Sequence, residues 1–289
     1  MSSSIFERPS FVAPFTDYSS FLGGCIGVTG ARGILGRIAV DRLVSAGVSV
    51  ESFAGDVNDE RALEQWFRVH QFSHCFHFAA IVPVTRVESE PLRAYQTNAI
   101  GTFNVCKNIV LMQPECWLFH CSSSHIYQPT EASEAIVESA IPGPKTFYGE
   151  TKLAAERIAE PLLKRLGADY CIGRVFSFSH ASQREPYLIP SLAARIAKLG
   201  EGESLNVTNP SSVRDIQDAE TVVDCILHLA RLRAQGVVNI GTGIGLSVCE
   251  IATAVANSLG RKIDITGKDL DAPGALIADT ARLRTILTQ

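Results

Sequence analysis

The chain has 289 residues, of which 46% are hydrophobic and 19% are charged, with a formal net charge of −4. This length and composition suit one large α/β unit, or a nucleotide-binding domain with a smaller lobe, and they argue against a disordered chain. Because the charge balance is slightly acidic and no basic tract occurs, they also argue against broad nucleic-acid binding.

The cysteines and the chain start bear on the compartment. Eight cysteines occur, and four of them (Cys25, Cys75, Cys121 and Cys171) fall in apolar runs, where a reduced thiol behaves as a small hydrophobe. No Cys or His pattern has zinc spacing, so no metal is expected. The start of the chain lacks the pattern of a signal peptide, and no apolar stretch is long enough to cross a membrane. We therefore expect a reduced, cytoplasmic protein with no membrane partner.

In chain order, residues 1–22 form an arm rich in serine, proline and phenylalanine. The arm either drapes over the domain or a partner subunit, or is a poorly ordered terminus. The first helix after it, 34–47, should end at Gly47 and turn four apolar side chains inward. These are Leu35, Ile38, Leu43 and Val44.

Apolar runs and amphipathic stretches alternate from residue 25 onward. Strands are predicted at 25–30, 48–56, 74–80, 116–124, 170–178 and 237–241. Helices are predicted at 34–47, 61–70, 91–112, 146–166, 190–200, 218–233 and 247–260, the last with a Ser247/Glu250 capping box. Such alternation indicates a Rossmann-type, doubly wound parallel sheet in an α/β fold.

The alternation becomes less regular after residue 180. We therefore predict a nucleotide-binding domain over 23–178, with elements near 212–243 returning to it. A small substrate-binding lobe is predicted from 179–211 and 244–289.

The segment "TGARGILG" (29–36) follows a strand and opens a helix. Gly30 permits a tight turn, Gly33 lets the backbone approach a pyrophosphate, and Gly36 allows close helix–strand contact. The helix N-terminus presents unpaired N–H groups to the phosphates. Three glycines alone are a weak signal, and the strand–turn–helix context strengthens it.

The choice between NAD(H) and NADP(H) depends on the second strand. An acidic residue at its end usually holds the ribose of NAD, and Glu51 is the only candidate before Asp56. Arg32 lies inside the glycine loop, where a guanidinium suits a 2′-phosphate. These residues favour NADP(H), although Arg32 alone is also consistent with a solvated loop residue.

Two later segments carry the chemistry, "SSSHIY" (122–127) at a strand end and "YGETK" (148–152) at a helix start. With the glycine loop, they make the chain resemble the extended short-chain dehydrogenase/reductase family over residues 24–285. More narrowly, it resembles the NAD-dependent epimerase/dehydratase group, which acts on nucleotide sugars. Further motifs match in order: "GDV" (55–57), "HFAA" (77–80), "TNAIGT" (97–102), "VRDI" (213–216) and "VVNIGTG" (237–243).

The resemblance implies a catalytic trio of Ser123, Tyr148 and Lys152. A tyrosine phenol titrates near pH ~10, and the charge of Lys152, one helical turn on, is expected to lower that pKa together with an oxidised nicotinamide. Tyr148 then exchanges a proton with a sugar oxygen while hydride moves to or from the cofactor. Without the other motifs, Tyr148 would be a packing residue and Lys152 a solvated charge.

The resemblance also assigns binding residues. The substrate residues are Ser124 (the alternative to Ser123), Ser177 and Arg214. The cofactor residues are Gly30, Arg32, Gly33, Ile34, Leu35, Gly36, Asp56, Val57, Phe78, Ala79, Ala80 and Asn98, with Tyr148 and Lys152.

The residues after Ser123 limit the reaction. Dehydratases of the group carry Asp-Glu there, whereas this chain has Ser124 and His125, so 4,6-dehydration is not expected. A 4-epimerase with tightly bound NAD(H) and a 4-keto-sugar reductase using NADPH remain, and we favour reduction or coupled epimerisation–reduction. His125 occupies the place of a cysteine in GDP-fucose synthase-like enzymes. His125 and His180 are each either an extra acid/base or an ordinary hydrogen-bonded histidine.

Some family features are missing. Ser177 replaces the usual asparagine, and Asp271 and Ala272 stand where a diphosphate-binding arginine is expected. Arg214 is then the best anion contact, followed by Arg174 and Lys198. The family commonly dimerises through its two long helices, here 91–112 and 146–166. A non-catalytic binding protein of the same fold is the remote alternative, against which Tyr148 and Lys152 argue.

Overall fold

The computed structural model describes residues 6, 8–130, 134–270 and 274–289. The strands are β1 Cys25–Thr29, β2 Ser49–Phe53, β3 His74–His77, β4 Trp117–Ser123, β5 Tyr170–Val175, β6 Ser177–Ser179, β7 Leu205–Thr208, β8 Val213–Asp218, β9 Gly236–Ile240, β10 Gly245–Ser247, β11 Ile265–Lys268 and β12 Ala275–Leu276. The α-helices are α1 Ile34–Ser45, α2 Glu60–Val69, α3 Val84–Ser89, α4 Pro91–Tyr95, α5 Gly101–Met112, α6 Phe147–Arg165, α7 Leu188–Ala197, α8 Ala219–Arg231, α9 Val248–Ser258 and α10 Ala281–Leu287.

The main sheet has six parallel strands in the order β2-β1-β3-β4-β5-β9. Strand β2 pairs with one edge of β1, and β3 pairs with the other edge. The strand order therefore reverses at β1. Doubly wound sheets bind ligands in the crevice at such a reversal, beyond the carboxyl ends of the strands. The predicted Rossmann-type fold is thus confirmed, and the crevice lies between the ends of β1 and β3.

Both faces of this sheet are buried, as a parallel sheet requires. Along β4, Trp117 and Phe119 pack with apolar residues of α1 and α8, while Leu118 packs with those of α2, α5 and α6. This alternation places two apolar layers around one sheet. None of the described helices has the length and hydropathy that a membrane span needs.

The remaining strands form a smaller assembly. β8 pairs with β6, β10 and β12, and β7 pairs with β11. Helices α7 and α9 share an apolar cluster with β7 that is separate from the main core. Since β6 begins two residues after β5 ends, this assembly lies beside the carboxyl end of β5.

The described part of the N-terminal arm, residues 8–22, packs on the chain's own α1 and α8. Val12, Phe15 and Phe21 are buried in the main core. On α8, the Asp224 carboxylate accepts hydrogen bonds from the Arg8 guanidinium and, at 2.8 Å, from the Phe15 backbone N–H. The arm therefore drapes over its own domain.

The segment 91–112 is helical throughout, as predicted, since α4, a π-helical turn over Gln96–Ile100 and α5 follow one another without a break. Other details of the predicted elements are wrong. Val44 is 55% exposed, since α1 buries the stripe that contains Leu35, Ile38 and Leu43, and Val44 lies beside it. Some elements were not predicted at all: helices α3 and α10, and strands β7, β8, β10, β11 and β12.

Candidate active site

The glycine loop follows β1 and faces the segment after β3. Gly30 has φ +73°, and a Cβ there would lie 2.5 Å from the backbone nitrogen of Ala79. A Cβ at Gly36 would lie 2.4 Å from the carbonyl oxygen of Gly30. Both positions therefore require glycine for packing. Gly33 has an ordinary extended conformation before α1, so its predicted role, approach of a pyrophosphate, stays a prediction.

The end of β2 offers no carboxylate of its own. Glu51 lies within the strand opposite Gly27, with an oxygen 3.9 Å from the Nε2 of His70. Asp56 accepts hydrogen bonds from the backbone and side-chain N–H groups of Asn58 at 3.0 and 2.9 Å, and Val57 is buried. Arg32 is exposed and makes no hydrogen bond or ion pair within the described part of the chain.

A cavity of about 440 Å³ opens where β3, β4, β5 and β8 meet α6. It brings together many of the predicted site residues: Ile34, Leu35, Gly36, Phe78, Ala80, Ser123, Ser124, His125, Tyr148, Lys152, Ser177 and Arg214. The glycine turn, the N–H groups at the start of α1 and this cavity together fit a nicotinamide dinucleotide.

The start of α6 sets the position of Tyr148. The Thr146 hydroxyl caps the helix by accepting a hydrogen bond from the Gly149 N–H at 3.1 Å. A Cβ at Gly149 would lie 2.2 Å from the carbonyl oxygen of His125. Glycine at this position therefore lets the helix touch the turn after β4, which brings Tyr148 close enough to Ser123 for Ser123 to influence its pKa.

Lys152 lies one turn further along α6 and is 4% exposed. Its Nζ donates a hydrogen bond to the Cys121 carbonyl of β4 at 2.7 Å. Burial lowers the pKa of Lys152, against the opposing influence of Cys121 and Glu156. The ammonium is thus held between the helix and the strand end, beside the cavity.

The expected lowering of the Tyr148 pKa by Lys152 together with an oxidised nicotinamide stays a prediction. In the protein alone, burial raises the pKa of Tyr148 above its usual value, and Ser123 offsets only part of that rise. Desolvation of the phenolate outweighs the nearby dipoles, and Lys152 directs its ammonium at a backbone carbonyl instead. Tyr148 is therefore protonated at neutral pH.

His125 lies against Tyr148, the predicted catalytic tyrosine. Its ring packs edge-on against Tyr148, with ring centroids 5.5 Å apart. Burial, and secondarily the charge of Arg214, lowers the pKa of His125 to about 4. The imidazole is therefore neutral near pH 7 and has one donor and one acceptor nitrogen.

Arg214 is a partly buried cation with no carboxylate partner among the described residues. Its guanidinium donates to the Val213 carbonyl at 2.9 Å, and burial lowers its pKa. The neighbouring Asp215 is fully buried and accepts N–H bonds from Thr242 and Ala278, which fixes this strand.

The expectation for Arg174 as an anion contact is wrong. Arg174 forms a buried ion pair with Glu156 at 2.7 Å and also donates to the Tyr127 hydroxyl. Its charge is therefore neutralised inside the protein. Lys198 is exposed at the end of α7.

Several predicted residues lie away from the cavity. Asn98 is fully buried, accepts from the Ile81 N–H at 2.7 Å and donates to the Thr151 hydroxyl at 2.9 Å. His180 bonds Ser182 at 2.7 Å through its Nδ1 and does not line the cavity. The structure therefore offers no support for His180 as an acid/base. Asp271 and Ala272 lie outside the described residues.

Part of the cavity wall was not predicted from the sequence. The segments 82–85 and 186–189 and Gln183 line the cavity, and Tyr187 is close enough to Tyr148 to raise its pKa. No motif marks these residues, because only the fold brings them to the crevice. The charged pair Glu156 and Arg174 lies inside predicted elements, where unusual charges in apolar runs are the one available signal.

Comparison with known proteins identifies relatives. The model of the family described as GDP-mannose 4,6 dehydratase matches residues 35–286. A UDP-glucose 4-epimerase of Halalkalibacterium halodurans is 26% identical over 260 residues, covering 82% of this chain and 77% of that protein. A GDP-6-deoxy-D-mannose reductase of Pseudomonas aeruginosa is 27% identical over 213 residues, covering 72% and 66%.

Solved structures share the fold. The RMD structure from Pseudomonas aeruginosa complexed with NADPH has a TM-score of 0.80 at 23% identity and covers 92% of both chains. The UDP-glucose 4-epimerase of Thermus thermophilus in complex with NAD has a TM-score of 0.78 at 22% identity, covering 90% of this chain and 92% of that one.

Proposed function

The chain belongs to the NAD-dependent epimerase/dehydratase family of extended short-chain dehydrogenases/reductases, and from this we propose that it is an NAD(P)-dependent nucleotide-sugar oxidoreductase. We favour a 4-keto-sugar reductase or a coupled epimerase/reductase. One observation carries the proposal: Ser123, Tyr148 and Lys152 line the same cavity, with Lys152 buried one helical turn after Tyr148.

Ser123, Tyr148 and Lys152 each have a separate role in this proposal. When bound, the nicotinamide supplies or accepts the hydride at the sugar carbon. Tyr148 gives a proton to the substrate oxygen or takes one from it, and Ser123 holds that oxygen by a hydrogen bond, with Ser124 as the alternative. Lys152 stabilises the phenolate that Tyr148 becomes. Burial raises the pKa of Tyr148 in the protein alone, which favours the protonated form that gives a proton to a ketone.

Elimination of water receives no support from the cavity. Removing water from a hexose needs an acid and a base beside the sugar, and Ser124 and His125 follow Ser123. No carboxylate is among the described residues that line the cavity. The neutral His125 is instead suited to hydrogen-bonding the sugar, with proton exchange as its second possible role.

The second candidate is a 4-epimerase that keeps NAD(H) bound, a reaction favoured by the similarity to a UDP-glucose 4-epimerase. The remote alternative is a non-catalytic nucleotide-binding protein. The cavity and the trio argue against it, since a binding protein has no need of a buried lysine on the cavity wall, one helical turn after a tyrosine.

We assign the cofactor to the crevice between β1 and β3. The glycine loop, with Ile34 and Leu35, takes the pyrophosphate, Asp56 and Val57 lie toward the adenine end, and Phe78 to Ala80 form the opposite wall. Asn98 contributes to this wall indirectly, because its side-chain amide hydrogen-bonds the backbone of Ile81. NADP(H) is favoured over NAD(H), because Arg32 has no partner among the residues that the structure describes and Asp56 is engaged by Asn58.

We also propose a homodimer through α4–α5 and α6. These helices pack on each other, and Leu92, Ile100 and Leu111 are exposed on the first pair. A second copy covering these residues would remove apolar surface from water. Light scattering of the purified protein measures the assembly state.

The function is tested by a turnover screen of UDP-, GDP- and dTDP-linked sugars and 4-keto sugars with both cofactors. Net NADPH consumption with a reduced product supports the reductase. Interconversion of isomers without net cofactor change identifies an epimerase. Cofactor binding with no turnover of any nucleotide sugar would overturn the proposal.

A further inference from the structure

A second cavity, of about 920 Å³, lies next to the first. Arg214 is the only described residue that lines both cavities. Its guanidinium is partly buried and has no carboxylate partner in the described part of the chain. A substrate whose reacting end lies at Tyr148 would thus pass an unpaired cation before it enters the second cavity.

The second cavity has a cation of its own. Lys145 lines it, is exposed, and makes no hydrogen bond or ion pair with described residues. Glu134 is the one carboxylate among the described lining residues, and it is also exposed. Two cations against one solvated acid leave a net positive charge, which suits a diphosphate.

The rest of the lining suits a nucleoside. Ile136, Ala140 and Ile141 supply apolar surface, and Gln128 and Asn209 supply amide groups. Apolar surface for a base and hydrogen-bonding groups for a sugar are thus both present, and the volume falls within the usual range of small-molecule sites, about 300–1,000 Å³.

We propose that Lys145 is the second phosphate-binding cation of the substrate site, opposite Arg214, and that the nucleoside of the substrate occupies the second cavity. This inference rests on the proposed function. It supplies the cation that the segment at 271–272 does not provide in the sequence.

The location of Lys145 links phosphate binding to the position of Tyr148. Lys145 directly precedes Thr146, the cap of α6, and lies three residues before Tyr148. The loop that carries it is fixed by a bridge between Tyr127 and Pro142 and by the Gly143 N–H, which donates to the Ile126 carbonyl at 3.0 Å. A phosphate held by Lys145 therefore fixes the start of the catalytic helix, so Lys145 is a positioning residue as well as a binding one.

The test compares Lys145→Gln with Lys164→Gln, an exposed lysine in the last turn of the same helix. Calorimetry measures the binding of UDP, GDP and dTDP at saturating NADP⁺, and fluorescence measures NADPH binding. We expect Lys145→Gln to weaken binding of the preferred diphosphate about 5- to 20-fold at low salt, and less at high salt. NADPH binding, which also reports correct folding, should be unchanged in both variants, and Lys145→Arg should retain most of the affinity.

Turnover supplies a second readout, because Lys145→Gln should raise KM and lower kcat with a nucleotide sugar. Equal diphosphate affinity in the wild type and Lys145→Gln would overturn the inference and leave the proposed function standing. If the wild type bound NADPH but none of the three diphosphates, the nucleotide-sugar assignment would fail, and the inference with it.

Discussion

The environment of Tyr148 distinguishes a proton-transfer role from a packing role. Burial raises its pKa, Ser123 offsets part of that rise, and the His125 ring packs edge-on against it. Tyr148 also lines the cavity together with Ser123, which a tyrosine with only a packing role has no need to do.

Replacing Tyr148 with phenylalanine removes only that hydroxyl. Loss of a general acid costs about 10²- to 10⁴-fold in rate, so we expect kcat to fall by that factor while NADPH binds with unchanged affinity. Steady-state kinetics and fluorescence titration measure the two effects. Tyr95→Phe, an exposed tyrosine on α4, is the matched control, and wild-type turnover in Tyr148→Phe would refute the catalytic assignment.

Arg32 governs the choice of cofactor in our proposal. Its guanidinium is unpaired among the described residues, so Arg32→Ala removes no internal contact. We expect the variant to bind NADPH about tenfold more weakly, because a charge-assisted bond to the 2′-phosphate is lost, and to bind NADH as before. Titration with both cofactors measures this. Equal loss for the two would remove the argument for NADP(H).

At the scale of elements, local signals predicted well. The capping box of α9 is present, with the Ser247 hydroxyl accepting from the Glu250 N–H and the Glu250 carboxylate accepting from the Ser247 N–H. Gly47 and Gly260 follow their helices with positive φ. These features depend on residues within one turn of each other, which a sequence displays directly.

Contacts distant in sequence were beyond such reasoning. The π-helical turn at Gln96–Ile100 surrounds Asn98, whose amide is bonded to Ile81 and Thr151. In the 124–145 segment, backbone bonds join Thr130 to Ala275 and Ile136 to Ile277. Both features need partners more than fifteen residues away, so no local pattern reveals them.

Gly149 controls how α6 meets β4. A Cβ would lie 2.2 Å from the His125 carbonyl oxygen, so Gly149→Ala must move the helix start away from Ser123. We expect kcat to fall at least about tenfold, since misplacement of reacting groups slows the reaction. The free energy of unfolding should fall by about 1–3 kcal/mol. Kinetics and urea denaturation measure these. Glu150→Ala, on the exposed side of the same turn, is the control, and equal kcat in both variants would contradict the packing argument.

For the whole molecule, the arm joins parts that are distant in the chain. Phe6 packs in the cluster shared by α7 and α9, while Phe15 and Phe21 lie in the main core. Asp224 binds both Arg8 of the arm and Arg42 of α1. The two assemblies that flank the cavity are thus tied together outside the crevice.

Buried histidines link the stability of the whole molecule to pH. Burial lowers the pKa of His74 to about 4, of His77 to about 3 and of His125 to about 4, and it lowers that of His120 further below its usual range. The unfolded chain therefore binds more protons than the folded one once the pH falls below about 6.5. Stability is full above that pH and is lost progressively as the pH falls toward the folded-state values.

His120 gives the sharpest test of this linkage. Its ring stacks on His77 with centroids 5.4 Å apart, and neither ring nitrogen has a hydrogen-bond partner among the described residues. His120→Phe keeps the flat ring and removes one proton-binding group. Between pH 7.5 and 5.5, the wild type should lose about 1.4 kcal/mol more unfolding free energy than the variant, as expected for one histidine kept neutral one unit below its unfolded pKa. Urea denaturation at both pH values measures the difference, and parallel losses in the two proteins would show that His120 is not held neutral by the fold.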